Sequence, residues 1–376
     1  MSNESQTQLV LTADLLGQFA KMIAQEQVNA KRQENNKAVA YVPTQIKPTK
    51  VSVETGTLFT NIDVPAAPGA KIQIDTWKIQ PEGIPTVIEN YHFRKEMLND
   101  LLNWLVLPSD YGFWMVGLHG TGKTSFVEQV AARLGRQVWS DTGSQTTEFI
   151  DLFGYSCPTK NGEIKFVEGG LLKAMKEGGI YIINEVDAMS PSELIKLNEL
   201  TAHKPIYVPQ LESWVHPKPN FRIVCTSNTN GTGDDTRYIG TQAMNTAFKD
   251  RWMMVNVPYL PAAIERQFLE SIVGKLYNEN TPNFNKNRLA SYNALVGGMV
   301  EIANMIRDAA QTMGGESTPP SIRALMRWID LVLKGSYTDG MSELRSAFLK
   351  AYGNALSDAE RQTAIEICTD VLGDRF

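Results

Sequence analysis

The chain has 376 residues, of which 43% are hydrophobic and 20% charged, a composition typical of a protein with two or three folded domains. Its net charge of −5 excludes a global basic field that would attract nucleic acid or an anionic membrane, although a local basic groove is compatible with this total. No apolar run approaches the roughly 18 residues of a membrane span and no signal peptide is apparent, so we expect a cytoplasmic protein. The three cysteines have no metal-ligand spacing, which predicts reduced thiols at Cys157, Cys225 and Cys368.

The first 85 residues contain two predicted segments. Apolar residues at helical spacing between Leu15 and Ile23 predict a helix within residues 1–35. Residues 36–85 begin as a polar, basic linker and continue as a stretch rich in β-branched residues, Pro and Gly, which predicts a few short strands. Neither segment carries a functional motif, and the expected roles are partner contact or packing against the following domain.

A phosphate-binding loop follows the next predicted helix, at 93–105, and the apolar strand 113–117. The sequence GLHGTGKT fits the pattern G-x-x-x-x-G-K-[ST], whose glycines allow backbone N–H groups to turn toward phosphate oxygens. A predicted helix at 124–134, closed by Gly135, would point its positive end at the same anion. Lys123 would reach the β- and γ-phosphates, and the Thr124 hydroxyl would ligate Mg²⁺. The predicted ATP-binding residues are Gly117, His119, Gly120, Thr121, Gly122, Lys123, Thr124 and Ser125.

A hairpin is predicted after strand 137–140 and a short helix at 146–152. The Asn161-Gly162 pair between two strand-like arms is a strong hairpin signal. The hairpin would separate this short helix from its continuation at Gly170, an unusual insertion.

The apolar strand 180–183 ends in Asn184-Glu185, where loop ATPases carry two acidic residues, one for Mg²⁺ and one to polarise the attacking water. Asn184 has no charge but can accept a hydrogen bond from a metal-bound water, so we assign it to the Mg²⁺ site. Glu185 is the candidate general base, and the alternative is that it caps the next helix. Asp187 is a possible structural carboxylate.

The next helix is predicted at 191–202, with a capping box between Ser190 and Glu193. A second hairpin, apolar and aromatic, is predicted at 206–218. The strand 221–226 then ends in Ser227-Asn228. Because ligands of open α/β sheets bind at the carboxyl ends of the strands, we expect Lys123, Glu185 and Asn228 to meet in one crevice.

Arg251 stands at the end of another predicted helix, where it could reach a neighbouring subunit's nucleotide or, alternatively, neutralise its own helix C-terminus. A last strand follows, and from Pro261 onward the pattern is helical. Arg323 lies just inside one of these helices, and the last helix begins with a capping box from Ser357 to Glu360.

Together these motifs resemble the AAA+ ATPases, more narrowly the MoxR-like group with an insert in helix 2, and more narrowly still the ATPase subunits of aerobic cobaltochelatase and their relatives. The resemblance covers about residues 91–260 and more loosely the C-terminal helices, but not residues 1–85. It implies an α/β fold: a parallel P-loop sheet with helices on both faces at 86–260, two hairpin inserts, and a helical lid at 261–376. The segments that carry it are HGTGKT with EQVAARL, the Asp151-Leu152-x-Gly154 hairpin entry, EVDA, TSNTNGTGDDTRYIGTQAMNTAFKDRW and VPYLP.

The resemblance also implies roles. Asn228 matches the family's first sensor, Arg323 its second sensor, and Arg251 the arginine finger that acts across a subunit interface in a hexameric ring, with Arg237 as a second finger candidate. The hairpins match elements that line or flank the pore, ATP and Mg²⁺ are the expected cofactors, and the family's partners carry a von Willebrand type A domain. Two departures are Asn184, where Asp is usual, and Ile322, where many relatives have Pro; the first affects the expected hydrolysis rate.

The leading hypothesis is a ring-forming ATPase that remodels a partner protein, with metal insertion of the cobaltochelatase type as one version. A nucleic-acid motor is the first alternative, because Lys160, Lys165, Lys204 and Lys218 lie on the predicted hairpins. The acidic total and the absence of a recognition domain argue against it. The second alternative, prompted by Asn184, is an ATP-gated scaffold that hydrolyses very slowly.

Overall fold

A computed structural model describes residues 48–60, 70–107, 109–233, 240–281, 284–312, 318–335 and 342–376. These residues belong to one compact unit that spans Ile46–Phe376. The helix predicted within residues 1–35 and the finger candidate Arg237 lie outside the described residues.

The N-terminal part of this unit is a two-stranded hairpin, as the short-strand prediction proposed. Strands β1 (Thr49–Glu54) and β2 (Lys71–Thr76) are antiparallel, and a one-turn helix α1 (Thr55–Leu58) follows β1. Phe59 and Ile72 are buried in the same core as Phe93 and Leu98, and the Trp77 indole donates to the Gly135 carbonyl at 2.7 Å. The hairpin therefore packs against the part of the chain that follows it; the proposed boundary at residue 85 stays a prediction.

A parallel five-stranded sheet with helices on both faces forms the centre of the molecule, which confirms the predicted fold class. Buried residues make up all of β3 and β10 and all but the last residue of β7, as central strands covered on both faces require. The spatial order is β11-β3-β10-β7-β4. The strands are β3 (Gly112–Val116), β4 (Val138–Thr142), β7 (Ile180–Asn184), β10 (Arg222–Ser227) and β11 (Trp252–Asn256).

Alternation along β3 divides the core in two. Phe113 and Met115 face helices α2 (Lys95–Val106) and α3 (Lys123–Leu134), whereas Trp114 and Val116 face α4 (Gly170–Glu177) and the segment after β7. Gly135 ends α3 with φ 67°, the left-handed conformation predicted for it. The sheet is therefore held from both sides, and its strand ends are fixed in position.

Both predicted hairpins are present. Strands β5 (Gly154–Pro158) and β6 (Ile164–Glu168) pair antiparallel around a turn that contains Gly162 at φ 80°. Strands β8 (Ile206–Val208) and β9 (Ser213–Val215) form a shorter pair, joined by a 3₁₀ turn at Pro209–Leu211. Exposed aromatic side chains cluster on these hairpins, with Tyr155 on the first and Tyr207 and Trp214 on the second.

Two local predictions are wrong. The helix expected at 191–202 is broken into α5 (Pro191–Leu194), a 3₁₀ turn at Ile195–Leu197 and α6 (Asn198–Thr201), and Ser190 makes no side-chain cap bond. The Glu193 carboxylate instead accepts a hydrogen bond from the Phe149 N–H at 2.8 Å and forms an ion pair with Lys196. The helix expected at 146–152 is a 3₁₀ turn confined to Phe149–Leu152.

The C-terminal part is helical, as predicted. After the short α7 (Thr246–Lys249) and β11, its helices pack around a core that includes Trp328, Phe348 and Cys368. The predicted Ser357–Glu360 capping box is present. The helices are α8 (Ala262–Leu276), α9 (Lys286–Thr312), α10 (Ile322–Lys334), α11 (Glu343–Ala351) and α12 (Asp358–Leu372).

Within the described ranges, no helix has the length and apolar character needed to cross a membrane. All three cysteines are free thiols, with Cys225 and Cys368 buried and Cys157 half-buried, as the sequence predicted.

Candidate nucleotide site

The phosphate loop joins β3 to α3. Gly120 has φ 73° and Gly122, which is the N-cap of α3, has φ 87°; both values favour glycine because a Cβ would strain the backbone there. Gly117 is restricted by space instead, since an added Cβ would lie 2.3 Å from the Val257 carbonyl oxygen. The N-terminus of a twelve-residue helix therefore opens directly onto the loop.

Lys123 lies at the centre of the site. Its ammonium donates to the carbonyls of Gly117 at 2.6 Å and Leu118 at 3.0 Å, and to Asn228 Oδ1 at 3.0 Å. Burial lowers the pKa of Lys123 to about 8; the charges of Asp187 and Glu185 oppose this shift, while that of Arg323 adds to it. The contact with Asn228 brings together two of the three side chains expected to converge, and the Glu185 charge acts on the same ammonium.

Thr124 and Asn184 form the second contact between the loop and a strand end. The Thr124 hydroxyl donates to Asn184 Oδ1 at 2.5 Å, and the Thr226 hydroxyl of β10 donates to the same oxygen at 3.1 Å. The amide nitrogen of Asn184 faces the Asp141 carbonyl at 3.5 Å. The amide oxygen is therefore beside the hydroxyl predicted to ligate Mg²⁺, but it brings no negative charge.

Glu185 has an unusual backbone. It lies in the left-handed region with φ 53°, which is costly for a residue with a Cβ and is more frequent at functional sites. Its side chain is exposed, and it makes no cap bond to the 3₁₀ turn Val186–Ala188 that follows. The cap alternative therefore has no support in this structure.

Asp187 supports the loop that carries Asn228. It is 1% exposed, and one of its carboxylate oxygens accepts the N–H groups of Asn228 at 3.1 Å and Thr229 at 2.9 Å as well as the Thr229 hydroxyl at 2.9 Å. Three donors on one buried oxygen fix the backbone of the loop. Asp187, which the sequence suggested as a structural carboxylate, therefore holds the loop that carries Asn228 in position.

The two predicted arginines differ in their surroundings. Arg323, at the start of α10, is exposed, and its charge acts on Lys123. Arg251 is also exposed and donates to the Ala247 carbonyl at 2.8 Å, so in the single chain it neutralises the end of its own helix. This contact is the alternative expected from the sequence, and a role across a subunit interface stays a prediction.

The remaining predicted loop residues divide by burial. Thr121 is buried and donates its hydroxyl to the Leu118 carbonyl at 2.9 Å, which closes the loop on itself. His119 is half-buried, and Ser125 on the first turn of α3 is exposed.

Three residues that the sequence did not single out contact the phosphate loop. Arg94 donates to the Thr121 carbonyl at 3.1 Å. The Tyr91 hydroxyl would be 3.8 Å from a Cβ added at Gly122, and burial raises the pKa of this phenol. Ser321, the N-cap of α10, lies so close to Gly120 that a Cβ there would be 2.4 Å from the Ser321 Cβ. No local pattern marks these residues, because each reaches the loop through tertiary packing.

The residues present fit ATP and Mg²⁺. Lys123 is a half-buried cation whose direct partners are neutral oxygens, and it stands at a helix N-terminus with inward-turning glycines, a combination that favours a polyphosphate. Thr124 and Asn184 would hold Mg²⁺ as neutral oxygen ligands, directly or through water, with the phosphates supplying the other contacts. When bound, the metal would neutralise charge that develops on the transferred phosphoryl group.

This combination of a parallel sheet, a phosphate loop and polar side chains at adjacent strand ends defines a P-loop nucleotide-binding domain. Residues 112–252 match the family described as AAA domain, dynein-related subfamily. The central part of the chain is therefore similar to the AAA ATPase domains of that subfamily.

Comparisons with curated proteins agree with this assignment. The chain is 31% identical over 220 residues to the aerobic cobaltochelatase subunit CobS of a Sinorhizobium species, covering 57% of this chain and 63% of that protein. It is 28% identical over 147 residues to midasin of Dictyostelium discoideum, covering 39% of this chain and 2% of midasin. An uncharacterized protein of Staphylococcus saprophyticus is 26% identical over 282 residues, covering 73% of this chain and 95% of that protein. The chain thus spans less than two thirds of the first two relatives.

Proposed function

We propose that this protein is a ring-forming, Mg²⁺-dependent AAA+ ATPase of the MoxR and cobaltochelatase-subunit type that uses ATP binding and hydrolysis to remodel or activate a partner protein in the cytoplasm. The observation that carries the proposal is the contact of Lys123 with Asn228 at 3.0 Å, beside that of Thr124 with Asn184 at 2.5 Å. These contacts place the phosphate loop against two strand ends at once.

The proposed roles follow from these positions. Lys123 binds the phosphates, and Thr124 and Asn184 hold Mg²⁺. Glu185 polarises the attacking water, because its carboxylate follows β7 directly and acts electrostatically on Lys123. Asn228, held by Asp187, and Arg323 on the lid respond to the state of the nucleotide.

Arg251 is proposed to complete the site of the neighbouring subunit in a hexameric ring. Its guanidinium is exposed and its present partner is a single carbonyl of its own helix, so it can be redirected at little cost. The similarity to a cobaltochelatase subunit favours a partner with a von Willebrand type A domain, and metal insertion is the version of the function that this similarity suggests.

A mixing experiment tests the role of Arg251. Arg251→Ala should retain ATP binding but lose about 10³- to 10⁵-fold in turnover, the usual contribution of an arginine finger. Lys123→Ala should be inactive because the nucleotide site of the same subunit loses its phosphate-binding lysine. In rings mixed from equal amounts of the two variants, about a quarter of the interfaces combine an intact site with an intact finger, so about that share of activity should return.

Two outcomes would contradict the assignment. Full turnover of Arg251→Ala alone would exclude a finger role, and mixed rings without any recovery would exclude action between subunits. Each variant should first be shown to form the same oligomer as the wild type, and Lys249→Ala, two residues away, is the matched control for loss of a positive charge.

The hairpin lysines give little support to a nucleic-acid motor. Lys204 pairs with Glu199 at 3.0 Å and Lys218 lies 3.9 Å from Glu177, so two of the four charges are compensated. ATPase stimulation by DNA that is lost steeply with salt would favour that function instead. Absence of turnover in both wild type and Asn184→Asp, with and without a partner, would favour the ATP-gated scaffold.

A further inference from the structure

A large cavity lies at the edge of the sheet opposite to the nucleotide site. Its volume is about 1240 Å³, and its walls come from the β1–β2 hairpin, α2 and the residues that precede β3, β4 and β10. Arg222 in its lining is the first residue of β10, whereas Asn228 follows the last. Six residues of strand, at roughly 3.3 Å each, place about 20 Å between the two sites.

Three buried polar atoms that have no hydrogen-bond partner within the described part of the chain belong to residues that line this cavity. They are Ser109 Oγ, Arg136 Nη1 and Arg222 Nε. Each can donate a hydrogen bond, and buried donors without a partner are rare in folded proteins. Their concentration around one cavity indicates a missing acceptor.

The charge of the side chains that line the cavity also favours an anionic ligand. Five lysine or arginine side chains line the cavity against two carboxylates, Asp75 and Asp110. Among the described residues, no salt bridge joins either cavity arginine to a carboxylate. Burial raises the pKa of Asp75, and the charges of Arg136 and Lys50 oppose this shift. The cations are Lys50, Lys71, Lys95, Arg136 and Arg222.

A purely structural role explains only part of this arrangement. Arg222 is 6% exposed, and its Nη atoms donate to the carbonyls of Phe221, Pro219, Leu105 and Leu107 at 2.8 to 3.4 Å, so it closes the C-terminal end of α2. Those partners are neutral. Burial and, to a smaller extent, the charge of Arg136 lower the pKa of Arg222 to about 10. Asp75 is the carboxylate whose charge acts on Arg136, whereas the hydrogen-bond acceptors of Arg222 are all uncharged.

We propose that this cavity binds a small anionic ligand through a phosphate or carboxylate group held by Arg136 and Ser109. A guanidinium fork matches both groups geometrically, and the hydroxyl supplies one more donor. Ile72, Leu98 and Leu102 form an apolar wall for the rest of the ligand. The proposal concerns a second site, independent of ATP hydrolysis.

Titration calorimetry on the full chain, preloaded with one equivalent of ADP and Mg²⁺ so that the phosphate loop is filled, tests this proposal. The probes are inorganic phosphate and citrate. Arg136→Gln should raise the Kd about tenfold or more, and Ser109→Ala severalfold, because each removes a donor to the anion. Ser109 Oγ has no hydrogen-bond partner among the residues that the structure describes, so its removal breaks no hydrogen bond there and should leave the fold intact. Lys204→Gln, which removes the same charge beside the lining residue His203, should bind as the wild type does.

The outcomes separate the ligand classes. Saturable binding of phosphate alone supports a phosphorylated ligand, and binding of citrate alone supports a polycarboxylate. No saturable binding of either probe up to about 10 mM would overturn the proposal. Equal affinities in Ser109→Ala, Arg136→Gln and the wild type would also overturn it, because the anion would then lie elsewhere. Unchanged ADP affinity in each variant verifies that the fold and the nucleotide site are intact.

Discussion

The low pKa of Lys123 predicts that nucleotide affinity falls at alkaline pH. The half-buried ammonium lies among carbonyl and amide oxygens, and its pKa is about 8. A bound polyphosphate favours the charged form, so the pKa of Lys123 rises on binding. The contribution of the ammonium to binding is therefore fully present below the free-protein pKa of about 8 and is lost as the pH rises above it.

The magnitude follows from the fraction of protein that carries the charge. With a pKa of about 8, this fraction falls from about nine tenths at about pH 7 to about one tenth at about pH 9. If only the ammonium form binds well, the Kd for ADP should rise about tenfold between these pH values. The assay is equilibrium binding of a fluorescent ADP derivative at constant ionic strength.

Lys123→Arg is the matched control, because a guanidinium stays charged throughout this range. Its affinity will be lower than that of the wild type, but it should change little with pH. A constant Kd in the wild type would refute the reasoning. Equal pH dependence in the two proteins would show that another group titrates.

Two further predictions concern Asn184 and the lid. Asn184→Asp adds the anionic ligand that the Mg²⁺ site lacks. ATPase assays across a range of Mg²⁺ concentrations should therefore show half-saturation at a lower Mg²⁺ concentration and severalfold faster turnover. Unchanged values would place this residue outside the metal site. Arg307 and Glu265 form a buried ion pair with bonds of 2.7 and 2.8 Å, so Glu265→Gln should lower the free energy of unfolding in urea by about 3–5 kcal/mol. The double variant Glu265→Met with Arg307→Met should lose less, and an equal or larger loss would show that the packing of these two side chains, not the unpaired charge, sets the stability.

The sequence predicted well those features that depend on local pattern. The phosphate loop, the strand before it and Gly135 are specified by neighbours in the chain, and the meeting of Asn228 with Lys123 followed from one rule about strand ends. The capping box predicted at Ser190 is absent, although the sequence matches the capping-box motif. The Glu193 carboxylate instead accepts a hydrogen bond from the N–H of Phe149, which lies 44 residues from Glu193 in sequence, and no local pattern could reveal this contact.

Long-range contacts account for what the sequence left open. Asp187 was marked only as a possible structural carboxylate, because its three donors come from a loop 41 and 42 residues further along the chain. The cavity is harder still to foresee. Ser109, Arg136 and Arg222 are scattered residues of ordinary type, and only the packing of the N-terminal hairpin against α2 brings them around one space.

The lid and the phosphate loop are coupled through a direct steric contact. Ser321 lies against Gly120 so closely that a Cβ at Gly120 would be 2.4 Å from the Ser321 Cβ. Arg307 donates to the Pro320 carbonyl at 3.0 and 3.1 Å and is held by Glu265, so the start of α10 is fixed to the rest of the lid. A shift of the phosphate loop on nucleotide binding would therefore displace α10, and with it Arg323, as one body. Because the Arg323 charge acts on Lys123, we expect lid position and phosphate charge to depend on each other, as the proposed conversion of nucleotide state into movement requires.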